Sequence, residues 1–334
     1  MIDFSKRIAL VTGGGGFLGR YIVQELLSRG VKTRIYGRTR HPDLEKLGVQ
    51  NYRGDIAKGD QLDEATQGAD VIFHVAAKAG IWGSYSEYHA CNVQGTQKVL
   101  QASQKNRVPH FIYTSTPSVV FTGESFEGAN ETLPYGKNWL CAYPETKAIA
   151  EKIVLQENHS SFRTLALRPH LIWGVGDNHL IPRLIAKASA RQLRQVGEGN
   201  NKVDLVHVKN AAIAHLNAWE SQVTKNISGK AYFISEGNPV NLWQWIRDLL
   251  KALQLPPITK TIPLKRAYQI GAALEWVHRL FPFLGEPRMT RFLALELAKS
   301  HYFNIESARE DLSYQPIITH QEGIQELIQA HCNR

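Results

Sequence analysis

Residues 8–19 leave this chain few folds to choose from. An apolar segment, Ile8–Thr12, runs into Gly13-Gly14-Gly15-Gly16-Phe17-Leu18-Gly19, and a helical pattern covers Phe17–Ser28. Two spacings can be read in the glycines: G-x-x-G-x-x-G from Gly13, Gly16 and Gly19, or G-x-G-x-x-G from Gly14, Gly16 and Gly19. Either clears side chains from the place where a pyrophosphate must approach the amino end of a helix. The free N–H groups and the helix dipole there favour negative charge. A flexible turn without a ligand would carry the same letters, but a strand before it and a helix after it favour a dinucleotide site.

The rest of the first half keeps this rhythm. Short β-rich runs at 33–36, 49–52, 71–75 and 111–114 alternate with helical patterns, one of them long, at 85–104. Strands separated by helices predict a Rossmann-type, doubly wound parallel sheet, whose ligands lie at the carboxyl ends of the strands. Past Pro182 the pattern changes: strand-like pieces at 203–208, 231–234 and 258–262 sit among proline-broken helices. We assign residues 1–180 to a dinucleotide-binding domain and 181–334 to a smaller α+β substrate lobe, with some elements free to cross.

Composition decides what kind of protein carries such a domain. The 334 residues are 43% hydrophobic and 21% charged, which argues against disorder. Three cysteines, Cys91, Cys141 and Cys332, form no C-x-x-C, and the thirteen histidines show no ligand spacing. This predicts neither a disulfide scaffold nor a metal site. The start, Met-Ile-Asp-Phe-Ser-Lys-Arg, is not a signal peptide, and no apolar run would span a bilayer, so a cytoplasmic enzyme is expected. Lys and Arg outnumber Asp and Glu by 39 to 30 but are spread along the chain, which argues against nucleic-acid binding and suits anionic cofactors or acyl substrates.

At the end of the second strand, NAD-binding domains place a carboxylate for the ribose hydroxyl. Here the chain reads Tyr36-Gly37-Arg38-Thr39-Arg40, with no acid before Asp43. Arg38 and Arg40 suit the 2′-phosphate of NADP, because a guanidinium bonds phosphate in pairs, although solvated surface arginines would look the same. Asp55 and Ile56 follow the third strand. Asp55 is placed for the adenine amine, or simply to cap the next helix.

Tyr143 is the only tyrosine with a lysine four residues on, Lys147. On a helix the two share a face, and an ammonium beside a phenol lowers the phenol pKa, allowing proton exchange with a carbonyl or alcohol oxygen. A hydroxyl to hold that oxygen should come from Tyr113-Thr114-Ser115-Thr116-Pro117-Ser118 at the end of strand five.

Together the glycine turn, Ala76-Ala77 after strand four, the strand-five hydroxyls and the Tyr143/Lys147 pair resemble the extended short-chain dehydrogenases/reductases, in their 3β-hydroxysteroid dehydrogenase branch. The likeness covers nearly the whole chain. The strings at 76–85, 113–119, 167–174 and 199–204 are more specific. They resemble the NADP-dependent 2-alkyl-3-oxoalkanoate reductases of bacterial olefin biosynthesis. The resemblance implies that Thr116, or Ser115 as fallback, holds the substrate oxygen, that Tyr143 donates the proton, and that Lys147 tunes it and binds the nicotinamide ribose. It places Gly13, Gly16, Phe17, Leu18, Gly19, Arg38, Arg40, Asp55, Ile56, Ala76, Ala77 and Lys78 on the cofactor, with Pro169, Leu171 and Ile172 beside the nicotinamide. Asn92 matches a family asparagine, structural or part of a water relay. Thr116 stands where Ser is commoner, which keeps the hydroxyl.

For the substrate side, Lys78 is a candidate for a carboxylate or a cofactor phosphate. Trp82, Tyr85, Tyr88 and Trp173 are candidates for an acyl pocket, or packing residues. Residues 267–284 form an amphipathic helix that caps the pocket or core, or meets a membrane surface or partner. A homodimer and association with other olefin-pathway enzymes are the further partners the resemblance suggests. A sterol dehydrogenase, a nucleotide-sugar epimerase and a non-catalytic NADP-binding scaffold are the competing readings.

Overall fold

The computed structural model describes residues 4–332, so residues 1–3 of the N-terminal reading and the Cys332 side chain lie outside it. Seven strands form one parallel sheet: β1 (Ile8–Thr12), β2 (Lys32–Gly37), β3 (Gln50–Arg53), β4 (Val71–His74), β5 (His110–Thr114), β6 (Arg163–Pro169) and β7 (Lys230–Ile234). Their order is β7-β6-β5-β4-β1-β2-β3. The chain reverses direction between β1 and β4, and the two diverging crossovers open a crevice there, at the carboxyl edge. Central strands such as β4 and β5 are buried almost throughout, as a sheet covered on both faces requires.

Helix α1 (Phe17–Ser28) buries Leu18, Ile22, Val23 and Leu26, at helical spacing, on one face of the sheet. It packs beside α3 (Val208–Thr224), and α2 (Ala142–Gln156) covers the other face. The boundary at 180 therefore needs correction. Residues 208–234 return to the first unit, where α3 and β7 complete the sheet and its cover, because β6 leaves an open, apolar edge that β7 pairs in parallel. Conversely, Phe126–Ala129 leaves the first unit and joins a four-stranded sheet with Val240–Asn241, Lys202–Val203 and His301–Phe303. The predicted strand at 203–208 is two short ones, interrupted at Asp204 and Leu205 and ending where α3 begins.

The long helix is not uniform. Between Tyr85–Tyr88 and Gly95–Lys105 it widens into a π-helical stretch, His89–Gln94. Such stretches re-aim side chains and occur often at functional sites.

Four histidines, His74, His110, His170 and His215, have their pKa pushed below the ordinary value by burial, to about 3, 4, well below normal, and about 4. The unfolded chain takes up their protons near pH 6.5, whereas the folded chain does not. Stability from these groups is full above that pH and falls as pH drops toward 4, by up to about 1.4 kcal/mol per pH unit for each. Asp204, raised by burial to about 6, works in the opposite sense between about 4 and 6. Chemical denaturation at pH 7.5 and 5 should show the lower stability at the acid value.

Candidate active site

One cleft of about 1360 Å³ runs along the carboxyl edge of the sheet and continues under the smaller lobe. Its floor is the glycine turn. Gly13 takes a left-handed φ of +69°, and a Cβ there would lie 3.0 Å from the backbone of Ala76; a Cβ on Gly19 would sit 2.2 Å from the Gly13 carbonyl oxygen. Only glycine lets β1, the β4 loop and α1 approach so closely. Gly13, Gly15, Gly16 and Gly19 line the cleft, whereas Gly14 faces the sheet, where a Cβ would lie 2.3 Å from the Ile35 side chain. Gly16 caps α1 without a side chain, and the amides of Phe17, Leu18 and Gly19 have no acceptor within the helix.

The end of β2 separates the two arginines. Arg38 lines the cleft and makes no ion pair or hydrogen bond among the described residues. Arg40 is turned away. Its guanidinium bonds Glu45 at 2.7 and 2.9 Å and it does not reach the cleft, which removes it from the cofactor set. Asp43, the first acid after β2, is engaged by Arg20. His41, which the sequence did not single out, packs its ring against Gly15 and lines the cleft. Asp55 and Ile56 line it too, although the Asp55 carboxylate also accepts from the Ala57 amide at 2.9 Å, the capping role weighed beside adenine recognition.

After β4, the Thr12 hydroxyl accepts from the Ala76 amide (3.2 Å) and meets His74 Nδ1 (2.7 Å), and His74 Nε2 meets Thr96 (2.9 Å). This buried polar chain fixes Ala76-Ala77 over the turn. Asn92, aimed inward by the π-helical stretch, accepts from the Lys78 amide at 2.7 Å and donates to its carbonyl and to Thr146. These bonds tie the helix to the loop after β4. Lys78 lines the cleft, but its ammonium is held by Glu87.

The candidate reacting groups lie where β5 ends and α2 begins. Thr116 caps a 3₁₀ turn, its hydroxyl accepting from the Ser118 amide at 3.3 Å, and it lines the cleft together with Tyr143, whose phenol pKa its hydroxyl pulls down. Ser115 is buried, and its hydroxyl has no partner. Tyr143 lies in the first turn of α2, where Pro144 costs nothing because its missing N–H would be unpaired. One turn on, Lys147 is buried, donates to the Thr114 carbonyl at 2.6 Å and stands 4.1 Å over the Tyr113 ring.

The pKa expectation needs correction. Burial raises the Tyr143 phenol to about 12 despite the Thr116 hydroxyl, and burial also lowers Lys147 to about 7, against the pull of Glu151. Loss of hydration disfavours the charged form of each group, the phenolate and the ammonium alike, and so moves the two pKa values in opposite directions. Behind the ammonium, Glu151 and Arg168 form a buried ion pair at 2.6 Å, to which Tyr135 also donates at 2.8 Å. Neither partner was foreseen.

Pro169, Leu171 and Ile172 line the cleft, with Leu171 in the left-handed region at φ +41°, a strained setting for a branched residue. Trp173 does not. Ile172 and Trp173 alternate across a strand, so Trp173 points into the second core, fully buried against Trp245 and His207. Trp82, Tyr85 and Tyr88 also stay out of the cleft. Tyr88 is buried and braces the loop through Trp82 and Ala79 carbonyls, Tyr85 is 45% exposed, and Trp82 lies edge-on to His278. The lobe instead supplies Leu180, Leu184, Phe292, Leu293, Leu295 and Leu297 as apolar wall. Beside them lies a histidine pair, His170 and His301, joined at 2.6 Å.

A dinucleotide fits this cleft: its floor has no room for a Cβ, its helix-end amides are free, and a buried hydroxyl lacks a partner. Among the described residues no group of His, Cys, Asp or Glu could hold a metal, and no helix is long and apolar enough to cross a membrane.

The fold and the Tyr143/Lys147 site define an extended short-chain dehydrogenase/reductase, a nicotinamide-dependent oxidoreductase. The profile of the 3-beta hydroxysteroid dehydrogenase/isomerase family matches residues 10–266, and the chain belongs to that family. Among its relatives, the 2-alkyl-3-oxoalkanoate reductase of Shewanella oneidensis is 44% identical over 96% of this chain and 85% of its own. The protein of that name from Stenotrophomonas maltophilia is also 44% identical, over 95% and 97%. UDP-glucuronic acid 4-epimerase from Bacillus cereus, solved with NAD, superposes with a TM-score of 0.76 at 22% identity, covering 98% of this chain and 99% of that one. This last likeness is one of fold.

Proposed function

We propose that this chain is an NADPH-dependent reductase of 2-alkyl-3-oxoalkanoic acids, forming 2-alkyl-3-hydroxy acids on the way to long-chain olefins. The observation that carries the reading is that Tyr143, Thr116 and Lys147 line one cleft with the leucine-rich wall of the smaller lobe. The two relatives at 44% identity bear that enzyme name.

When bound, NADPH would supply a hydride to the ketone carbon. The amides of Phe17, Leu18 and Gly19 would hold its pyrophosphate and Arg38 its 2′-phosphate. Tyr143 gives its proton to the ketone oxygen as charge develops there, and a phenol raised to about 12 is protonated at neutral pH, the state a donor in the reductive direction needs. Thr116 donates a hydrogen bond to the same oxygen, with the unpartnered Ser115 hydroxyl behind it. Lys147 is the cationic group at the base of the site; burial lowers its pKa to about 7 and Glu151 opposes that fall. Holding the ketone between these groups makes the step effectively intramolecular.

A steroid dehydrogenase would use the same machinery, and the family name favours it as second reading. Arg38 in place of a ribose-binding carboxylate weighs against NAD-linked oxidation. NADPH consumption with a branched β-keto acid, set against NAD-dependent oxidation of a sterol, tests the choice. Activity with the sterol alone would reverse it. Arg38→Ala should raise the KM for NADPH roughly 10- to 100-fold, the loss of a charge-assisted phosphate contact, and leave that for NADH nearly unchanged. An equal rise for both would remove Arg38 from the phosphate site.

A further inference from the structure

Helix α4 (Leu264–Leu280) has apolar side chains on two faces. Its inner face, with Ala267, Gly271 and Glu275 buried, packs so tightly that a Cβ on Gly271 would lie 2.6 Å from the Thr290 backbone. Its outer face carries Ile270, Ala273, Trp276 and Leu280, three or four residues apart and therefore in one stripe. The 3₁₀ turn Pro282–Leu284 extends the stripe with Phe283, 83% exposed, and Leu284. Of the nine large hydrophobic side chains exposed among the described residues, six fall between 270 and 284. Core packing accounts for the inner face only.

The rim of this stripe is cationic. Between 264 and 291 there are two carboxylates, and both are occupied: Glu275 by Arg291, and Glu286 by Arg183 through bonds of 2.9 and 3.0 Å. Lys265, Arg266, Arg279 and Arg288 form no ion pair among the described residues. The stripe also adjoins the cleft. Arg183 lines it, and Trp82, next to cleft-lining Ile81, lies edge-on to His278 of α4 at 6.2 Å.

We propose that this face of α4 and its 3₁₀ turn lies flat on an anionic lipid bilayer, aromatic side chains in the headgroup–acyl boundary and cations on the headgroups. Tryptophan and phenylalanine beside lysine and arginine are the side chains such in-plane helices use. The six exposed side chains leave roughly 600–700 Å² of apolar surface in water, taking about 150–250 Å² for each whole aromatic. That is at the top of the range for a monomer's largest patch, and below the ~800 Å² each side of a standard protein interface contributes. The area and the unpaired cations favour a lipid surface over a second copy of the chain. The inference goes beyond the reductase reading and does not need it.

The test is co-sedimentation of the full chain with vesicles of phosphatidylcholine, with and without phosphatidylglycerol, read without turnover. The chain should bind the anionic vesicles, and raising salt from about 0.1 to about 1 M should weaken binding at least about tenfold. Trp276→Ser with Phe283→Ser should lose at least about tenfold in affinity at an unchanged thermal midpoint. Should that pair fail to fold, Lys265→Glu with Arg266→Glu should give the same loss. No binding to anionic vesicles would overturn the proposal, as would undiminished binding by a folded variant. It would also fall if the wild type sedimented as a dimer that Trp276→Ser with Phe283→Ser dissociated, because the face would then join two copies.

Discussion

Replacing Tyr143 by Phe should leave a protein that binds NADPH as before and turns over about 10²–10⁴-fold more slowly, the usual worth of a positioned general acid. The phenol lines the cleft with Thr116 and Lys147, and no other described tyrosine lines it except Tyr36, whose hydroxyl is occupied by the Asp60 carbonyl at 2.6 Å. Phenylalanine keeps the ring and its packing, so the loss should appear in kcat with the NADPH dissociation constant unmoved. Fluorescence titration of NADPH beside steady-state turnover separates the two quantities. Retained turnover would take the proton donor away from Tyr143.

The second large effect lies one layer deeper. Glu151→Ala should destabilise the fold by about 3–5 kcal/mol, because it strands Arg168 in the core. Glu151 is fully buried, Arg168 only 4% exposed, and the pair is braced by Tyr135 and by the Phe233 ring 5.1 Å from the guanidinium. The same change removes the carboxylate that holds the Lys147 pKa up, so burial acts on that ammonium alone and it loses its proton at lower pH. For a chain of this size the melting temperature should drop by roughly 4–7 °C. Arg168→Met added to Glu151→Met should recover much of the loss, since an apolar pair leaves no stranded charge. A double variant as unstable as Glu151→Ala would show that packing, rather than charge, is the source.

These groups also show what the sequence could and could not say. The glycine turn was legible because phosphate binding demands glycines at fixed spacing between a strand and a helix. Tyr143 and Lys147 were legible because four residues make one helical turn. Local periodicity even carried a signal that was not used: alternation in the short strand at 172–173 turns Trp173 away from the side where Ile172 faces the cleft. Long-range placement was not legible. Nothing near residue 230 announces that β7 pairs with β6, whereas Glu45, which captures the Arg40 guanidinium, lies only five residues on and was a local signal left unread. The phenol's pKa was missed because the burial that raises it comes from the folded cleft and not from its helical neighbours.

The most direct test of the account follows the hydrogen itself. Reduction of a 2-alkyl-3-oxo acid with NADPH deuterated at its transferable position should give a hydroxy acid with one deuterium at C3, and Tyr143→Phe should give almost none in the same time. Product without deuterium at C3, or labelled product formed by Tyr143→Phe at the wild-type rate, would contradict it.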